Sequence, residues 1–420
     1  MKTIPHLTTL HGTVAAPPSK SLSARALLLA AMTEGETTLA NLLDADDTRY
    51  MADAIRKIGF EVSGSFRDEL TIGPRRSMSA NEVELFVGNA GTAMRFLTGW
   101  LAFTPGRFIL RGEARMHERP IAELVDALRM IETEVEYLEQ EGFPPVRLRG
   151  RRMRGGFVVD VEGERSSQFV SAMMLAGATL PDGLAIRTLS LSSRPYVDLT
   201  AGILRDFGAT VSEDEPGLFR VRGPKLHRDR YAVEGDWSSA SYWLAAGAAL
   251  GEATVTNLRL DSVQGDRRFL EILESMGARV ERRAGAVTVH AGGLAGGTFD
   301  CNATPDIVPT LAAIAPLASS PVTIANVASL RIKESDRIAA VAEELRKLGA
   351  SVEERPDGMT IAPGWGSGPA EIDPHGDHRI AMSFSIAGLA RGGVSIAHED
   401  VVRKSYPRFW RDLDSLAAAT

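Results

Sequence analysis

Cysteine is almost absent from this chain of 420 residues, which contains only Cys301. A single cysteine excludes an intramolecular disulfide framework and is typical of a reducing compartment, so we expect a cytoplasmic location. Cys301 itself is interpreted as a small core residue. An excess of positive charge is absent too, because the formal net charge is −7. This balance disfavours nucleic acid or an anionic membrane surface as a partner.

Several motifs with a defined chemistry are also missing. The eight histidines are scattered, and the one close pair, His375 and His378, has no cysteine or further histidine at zinc spacing, so no metal is expected. The glycine-rich segment 88–95 lacks both the Walker ending and the Rossmann spacing, so a nucleotide is not indicated. A nucleophile elbow of the Gly-x-Ser-x-Gly kind is absent as well.

Two segments bear on targeting and on membranes. Residues 1–10 lack the apolar region of a secretory signal, so we expect none. Residues 307–330 carry no charge and are long enough to span a bilayer, but they include three prolines and several hydroxyl side chains. We interpret this stretch as a buried helix, a turn and a strand, and we expect no membrane partner.

An internal repeat is the strongest sign of organisation. A helical stretch that ends at a glycine and leads into a short strand recurs, and glycine at the end of a helix is the usual C-cap. The copies lie at residues 57–62, 206–211, 275–280 and 347–352, with a degenerate copy at residues 130–135.

Each repeat opens with small polar residues ahead of an apolar helix, and strand-like segments such as 157–161 and 253–256 alternate with the helices. Six such units predict an α/β (α+β) fold of two domains with three units each, which fits a chain too long for one ordinary core. The predicted first domain is 20–234, and the second is 1–19 plus 235–420. The six openings are residues 19–21, 88–92, 166–168, 238–241, 303–306 and 376–378.

These openings predict binding of anions. A helix N-terminus presents unpaired N–H groups and a partial positive charge, which favour phosphate or carboxylate. Several starts carry Lys or Arg within one turn, so we expect polyanionic ligands between the two domains. Ser21 with Arg25, and Lys333 with Arg337, are predicted to share helix faces at a spacing of four. Taken alone, residues 331–337 are more typical of a solvated helix start, and residues 377–379 fit a catalytic cluster and a capped helix start equally.

Taken together, these segments closely resemble the EPSP synthase family, enolpyruvyl transferases that act on shikimate 3-phosphate. The resemblance implies two domains, each of three βαβαββ units in an inverse α/β barrel-like arrangement, with the active site in the cleft between them. The matching stretches follow the family's order along nearly the whole chain: 18–30, 85–95, 115–121, 166–169, 193–196, 233–236, 331–337, 376–379 and 404–407.

The resemblance also implies roles for individual residues. Phosphoenolpyruvate, and the inhibitor glyphosate that occupies its site in this family, would be bound by Lys20, Gly91, Arg119, Gln168, Arg337, Arg379 and Lys404. Shikimate 3-phosphate would be bound by Ser21, Arg25, Ser166, Ser167, Gln168, Ser193, Tyr196, Asp306, Ser329 and Lys333. Asp306 would be the base that takes the proton of the 5-hydroxyl, Glu334 the acid that protonates the enol carbon, and Lys20 a further catalytic residue. No cofactor would be needed, and a monomer is expected.

Three positions depart from the family's usual pattern: Ala24 and Ser329 stand where relatives usually have Asn, and Phe96 where many have Pro. None removes a charged group. The nearest alternative is the UDP-N-acetylglucosamine enolpyruvyl transferase of the same fold, which carries a Cys in the loop where this chain has Ala114. A non-catalytic phosphosugar-binding paralogue is the alternative of another class, and loss of Asp306, Glu334 or a cationic ligand would indicate it.

Overall fold

A computed structural model describes residues 1–76, 81–223 and 225–419 of the chain. The chain divides into two compact units. The split unit comprises Met1–Pro17 and Glu234–Thr420, and the continuous unit comprises Pro18–Val233. Among the described residues, no helix combines the length and the apolar character that crossing a membrane requires.

Helices and strands are numbered along the whole chain. The helices are α1 (Lys20–Met32), α2 (Asp46–Ile58), α3 (Gly91–Leu101), α4 (Ala122–Met130), α5 (Ser167–Gly177), α6 (Pro195–Asp206), α7 (Trp237–Leu250), α8 (Phe269–Ser275), α9 (Val308–Ile314), α10 (Arg337–Lys347), α11 (His378–Arg391) and α12 (Phe409–Ala418). Short 3₁₀ turns cover Ala114–Glu118, Gly265–Arg268, Pro305–Ile307, Ala315–Leu317, Ala328–Ile332 and Glu399–Lys404.

The strands are short. They are β1 (Lys2–Thr3), β2 (Leu10–Ala15), β3 (Thr37–Ala40), β4 (Phe60–Gly64), β5 (Glu69–Arg75), β6 (Val83–Phe86), β7 (Gly106–Arg111), β8 (Glu134–Tyr137), β9 (Val146–Gly150), β10 (Phe157–Gly163), β11 (Leu184–Leu191), β12 (Thr210–Glu215), β13 (Leu218–Arg222), β14 (Arg230–Ala232), β15 (Gly251–Thr256), β16 (Arg279–Arg283), β17 (Ala286–His290), β18 (Gly297–Asp300), β19 (Val322–Ala325), β20 (Val352–Arg355), β21 (Gly358–Ile361), β22 (Ala370–Ile372) and β23 (Val394–Ile396).

One plan recurs in the described sheets, which confirms the predicted fold class. In the sheet β6-β7-β9-β8, β6 and β7 are parallel and joined through α3, and the hairpin β8–β9 follows α4 and pairs antiparallel to β7. The same order appears in β10-β11-β13-β12 and β18-β19-β21-β20. A parallel pair of strands needs a crossover connection, whereas an antiparallel pair needs only a tight turn. This difference accounts for the βαβαββ order of each of these repeats.

Two further sheets take one strand from a distant part of the chain. In β14-β3-β5-β4, the late strand β14 lies parallel to β3, and in β16-β17-β15-β2, the early strand β2 lies parallel to β15. The sixth sheet, β1-β23-β22, has three strands and also recruits the N-terminus. These pairings explain why one unit is continuous and the other is split.

The predicted C-caps are confirmed. Helix α2 ends before Gly59, which has φ 106°, and α8 and α10 end just before Gly277 and Gly349, which also have positive φ. Glycine adopts this left-handed conformation without a β-carbon penalty. In the degenerate copy Glu132 adopts it with φ 58°, so the repeat persists there without glycine.

The helices that begin at the predicted openings form the core of each unit. Helices α1, α3 and α5 pack together in the continuous unit, and α7, α9 and α11 pack together in the split unit. Nearly every residue of α5 and α11 is buried, so these helices lie inside their units and not at the surface. The charge-free stretch contains α9 and β19, which confirms a buried helix followed by a strand.

Candidate active site

Helix α1 begins at a capped serine and carries two basic side chains. Ser19 accepts a hydrogen bond from the Leu22 N–H, so the first turn starts at Lys20. Lys20 Nζ lies 3.1 Å from Asp47 Oδ2, and both side chains are largely buried. Asp47 stands in the first turn of α2 and was not anticipated from the sequence.

Arg25 is buried one turn further along α1. Its Nη1 donates to the Ser21 carbonyl across 2.9 Å, which confirms that the two residues share a helix face. Nε donates to Thr200 Oγ1 at 2.8 Å, and Nη2 donates to the Tyr196 carbonyl at 3.2 Å. Burial lowers the pKa of Arg25 to about 10, because an environment without water disfavours the charged form.

The start of α3 brings glycine next to arginine. Arg119 Nη1 donates to both the carbonyl and the side-chain oxygen of Asn89, each at 3.0 Å. This places its guanidinium group against Gly91, the first residue of α3. Arg95, on the same helix, donates to the Pro120 carbonyl at 2.9 Å. Two buried arginines therefore lie at a helix N-terminus that has no acidic first turn.

The start of α5 lies close to that of α3. Ser166 caps α5 by accepting from the Gln168 N–H, and Ser167 is buried as the first helical residue. Gln168 Nε2 lies 3.3 Å from Thr92 Oγ1 on α3. Its Oε1 is buried with no hydrogen-bond partner among the described residues. A buried acceptor without a partner is costly, so this amide oxygen is suited to a donor from a ligand.

Ser193 and Tyr196 lie at the start of α6. Ser193 is buried and has φ 52°, a conformation uncommon for a residue with a β-carbon. Its carbonyl accepts from the Tyr196 N–H at 3.1 Å. Backbone strain of this kind clusters at binding sites.

In the split unit, Asp306 lies between two arginines. Its Oδ1 accepts from Arg337 Nη1 at 2.8 Å, and its Oδ2 accepts from Arg379 Nη2 at 2.7 Å. The Asp306 side chain keeps 20% of its surface exposed, whereas Arg337 keeps 1%. The carboxylate is thus oriented from behind and can still be reached from solvent.

Arg337 also holds two further acids. Its Nη2 donates to Glu334 Oε2 at 2.9 Å, and its Nε donates to Asp377 Oδ2 at 2.7 Å. Burial alone would lower the pKa of Arg337, but the negative charges of Asp377, Glu334 and Asp306 raise it above the ordinary value. The residue is therefore a permanent cation, and the prediction of a solvated helix start is wrong for it.

By sequence, residues 377–379 are equally compatible with a catalytic cluster and a capped helix start, and Asp377 takes part in both kinds of contact. It caps α11 by accepting from the Arg379 N–H at 2.9 Å, and it also holds Arg337. Arg379 Nη1 lies 3.4 Å from the Tyr242 hydroxyl, and burial raises the pKa of that phenol above its usual value. One buried carboxylate therefore both caps a helix and orients an arginine of the site.

The predicted pairing of Lys333 with Arg337 on one helix face is wrong. Helix α10 begins at Arg337, because Asp336 caps it by accepting from the Ala339 N–H. Lys333 follows the 3₁₀ turn that contains Ser329 and has extended backbone. Lys404 ends another 3₁₀ turn, and all three of these candidate side chains are partly exposed.

Asp266 is a buried acid that was not anticipated from the sequence. Its Oδ2 accepts from the Ser238 hydroxyl, and its Oδ1 is buried with no partner among the described residues. Burial, and after it the negative charge of Asp306, raise the pKa of Asp266 to about 7, although Arg379 opposes the shift. Asp266 lies in the 3₁₀ turn Gly265–Arg268, far from Asp306 in sequence, so no local sequence pattern indicates that the two acids interact.

One group of potential metal ligands occurs in the described part of the chain: Glu343, Glu344 and His375. Lys347 Nζ lies 2.7 Å from Glu344 Oε1, and His375 Nε2 lies 2.7 Å from the same oxygen. An ammonium group thus occupies the position that a cation would take. These contacts are better described as ion pairs that connect α10 with the loop before α11.

The comparisons with known proteins fit this geometry. The family described as EPSP synthase (3-phosphoshikimate 1-carboxyvinyltransferase) matches residues 5–413. The chain belongs to the EPSP synthase family. A 3-phosphoshikimate 1-carboxyvinyltransferase of Tolumonas auensis is 42% identical and that of Serratia proteamaculans is 43% identical, with 99% and 96% of both chains covered, respectively.

Solved structures agree. EPSP synthase from Acinetobacter baumannii superposes with a TM-score of 0.82 at 28% identity, covering 99% of this chain and 97% of that one. The enolpyruvyl transferase NikO from Streptomyces tendae has a TM-score of 0.78 at 20% identity over 99% and 96% of the two chains. The second likeness shows the shared fold.

Proposed function

We propose that this chain transfers the enolpyruvyl group of phosphoenolpyruvate to the 5-hydroxyl of shikimate 3-phosphate, releasing phosphate. The observation that carries the proposal is Asp306, oriented by Arg337 and Arg379 and still partly exposed, in a member of the EPSP synthase family. A carboxylate held in this way offers a base next to permanent positive charge. Both are needed to deprotonate a hydroxyl group beside an anionic substrate.

We propose that phosphoenolpyruvate is held by cations that the fold has already immobilised. Arg119, Arg337 and Arg379 are buried, and each has protein acceptors that fix its guanidinium group. Charge-assisted hydrogen bonds from such groups contribute about 1.5–3 kcal/mol each. The remaining proposed ligands of this substrate are Lys20, Gly91, Gln168 and Lys404.

Shikimate 3-phosphate is proposed to bind at Arg25, which is buried and has no carboxylate among its described hydrogen-bond partners. A buried cation with only neutral partners favours an anion supplied from outside. The other proposed ligands are Ser21, Ser166, Ser167, Gln168, Ser193, Tyr196, Asp306, Ser329 and Lys333.

The proposed chemistry is addition followed by elimination. Asp306 takes the proton of the 5-hydroxyl while that oxygen bonds to C2 of phosphoenolpyruvate, and Glu334 delivers a proton to C3. Lys20 is proposed as a further catalytic residue. The tetrahedral intermediate then loses a proton from C3 as the C2–O bond to phosphate breaks. The described hydrogen bonds to Asp306 come from two arginines, and the carboxylate keeps 20% of its surface exposed. It therefore keeps the capacity to act as a base.

Phosphate release from purified protein tests the function. We expect phosphate only when phosphoenolpyruvate and shikimate 3-phosphate are both present, with 5-enolpyruvylshikimate 3-phosphate as the other product by mass spectrometry. Replacing shikimate 3-phosphate by UDP-N-acetylglucosamine is the specificity control. If phosphoenolpyruvate reacts with UDP-N-acetylglucosamine but not with shikimate 3-phosphate, the chain is the enolpyruvyl transferase that acts on the nucleotide sugar. If shikimate 3-phosphate binds tightly without any turnover, the chain is a non-catalytic phosphosugar-binding paralogue.

We also propose that the enzyme is a cytoplasmic monomer. Among the described residues, only six large apolar side chains are exposed, a small number that is ordinary for a monomer. Cys301 is buried, and burial raises the pKa of its thiol to about 12, so it is protected from oxidation. Light scattering coupled to gel filtration would test the monomer, for which the expected mass is 45.2 kDa.

A further inference from the structure

Arg25 is a buried arginine with no acidic group among its described hydrogen-bond partners. Its three described acceptors are the Thr200 hydroxyl and the carbonyls of Ser21 and Tyr196. Arg337, by contrast, donates to three carboxylates. The charge of Arg25 is therefore not neutralised by the hydrogen-bonded groups that orient it.

Arg25 also contacts an aromatic ring, that of Phe96. The guanidinium carbon of Arg25 lies 4.9 Å from the centroid of the Phe96 ring. Phe96 is fully buried on α3, and Arg25 is 2% exposed. A ring face attracts a cation without cancelling its charge, and the attraction is strongest where water is excluded.

The hydrogen bonds and the ring act on different parts of the guanidinium group. The hydrogen bonds orient its N–H donors, whereas the Phe96 ring contacts the group through its central carbon. A guanidinium group has five N–H donors, and the three described bonds leave two for another acceptor. The guanidinium group of Arg25 is thus held in one orientation and still has N–H donors that can bind an anion.

We propose that Phe96 is a positioning residue for shikimate 3-phosphate, holding Arg25 in place through its ring face while leaving the positive charge for the substrate anion. This inference rests on the proposed role of Arg25 in binding that substrate. Phe96 lies on the helix that begins with Gly91, yet its contact is with Arg25 on α1. Its replacement should therefore affect shikimate 3-phosphate more than phosphoenolpyruvate.

Isothermal titration of shikimate 3-phosphate into Phe96→Leu tests this directly. We expect an affinity about three- to thirty-fold weaker than wild type, the range of a desolvated cation–π contact. The Michaelis constant for phosphoenolpyruvate at saturating shikimate 3-phosphate should change much less. Tyr137→Leu is the matched control, because Arg129 lies 5.0 Å from that ring in the same unit, and its affinities should equal those of wild type.

A double-mutant cycle separates positioning from a general packing defect. In an Arg25→Met background, Phe96→Leu should produce no further loss of shikimate 3-phosphate affinity, because the ring then has no cation to hold. If the loss persists in that background, or if Phe96→Leu weakens both substrates equally, the inference is overturned. Phe96→Met gives a second ring-free variant should the leucine variant fail to show cooperative melting, with the same criteria.

The cycle also distinguishes the inference from the function on which it rests. If Arg25→Met weakens shikimate 3-phosphate but Phe96→Leu does not, the proposed site stands and the role of Phe96 is refuted. If Arg25→Met leaves the affinity unchanged, the assignment of Arg25 to that substrate fails, and the inference fails with it.

Discussion

The Cα of Gly91 faces the guanidinium group of Arg119 so closely that a β-carbon at position 91 would stand 2.5 Å from Arg119 Nη2. The side chain of Arg95 approaches the same point. Because both neighbours are the ends of long side chains, an added methyl group would displace them without breaking the helix. The glycine therefore fixes where the two arginines lie.

Gly91→Ala should consequently raise the Michaelis constant for phosphoenolpyruvate about ten-fold or more, the effect of losing one charge-assisted hydrogen bond. We expect the inhibition constant of glyphosate, which is longer than phosphoenolpyruvate, to rise further. Steady-state kinetics with varied phosphoenolpyruvate measure both constants. Gly35→Ala is the control, since a β-carbon there meets no atom within 4 Å. Unchanged constants in the Gly91 variant would mean that Arg119 does not contact this substrate.

The features that could be predicted from the sequence are local ones. Helix starts such as Ser19 and helix ends such as Gly59 carry their signals within one turn, so the repeat and the fold class followed from them. The charged run around Lys333 predicts too early a start for α10, because the capping residue Asp336 sets the start of that helix at Arg337. The same run also concealed how deeply Arg337 is buried.

Contacts between residues distant in sequence could not be predicted. The ion pair of Lys20 with Asp47 depends on how α1 packs on α2, and the cation–π contact of Arg25 with Phe96 depends on how α1 packs near α3. Neither pair has a pattern that a single sequence displays. The sequence could therefore nominate candidate residues, whereas their charge states and orientations required the fold.

Removing the charge of the two proposed proton-transfer groups should slow turnover. Asp306→Asn and Glu334→Gln are expected to reduce kcat at least about 100-fold, the usual effect of losing a general acid or base. Shikimate 3-phosphate titrations on the same proteins check that binding persists. Near-normal turnover of either variant would assign its proton to another group, of which Lys20 is the first to examine.

Chelation should leave activity intact. In the described group of potential metal ligands, Glu344 Oε1 already contacts Lys347 and His375. The ammonium group of Lys347 therefore lies where a metal ion would bind. Dialysis against EDTA followed by the phosphate-release assay measures this, with the dialysed protein assayed again after Mg²⁺ or Zn²⁺ is restored. A loss that the added metal reverses would contradict the expectation.

Asp266 should make the stability of this protein decrease as the pH rises through neutrality. Its pKa is raised from 3.8 to about 7 by burial and by the negative charge of Asp306. Between these two values the folded state binds a proton that the unfolded state has released, so the free energy of unfolding falls as the pH increases across that window, and the loss is complete above it.

Asp266→Asn removes this dependence while keeping an oxygen that can accept from Ser238. Relative to wild type, the variant should therefore be more stable at about pH 8 than at about pH 5 by at most about 3 kcal/mol. The interval from pH 5 to the pKa of about 7 covers about two units, and each unit corresponds to about 1.4 kcal/mol. Urea unfolding at the two pH values measures the difference. Asp261→Asn is the control, because that carboxylate is exposed and its pKa is lowered by the hydrogen bond from Arg259, so it should show no such gain. If wild type and the Asp266 variant keep a constant difference from pH 5 to pH 8, Asp266 is ionised in the folded protein throughout, and the raised pKa is wrong.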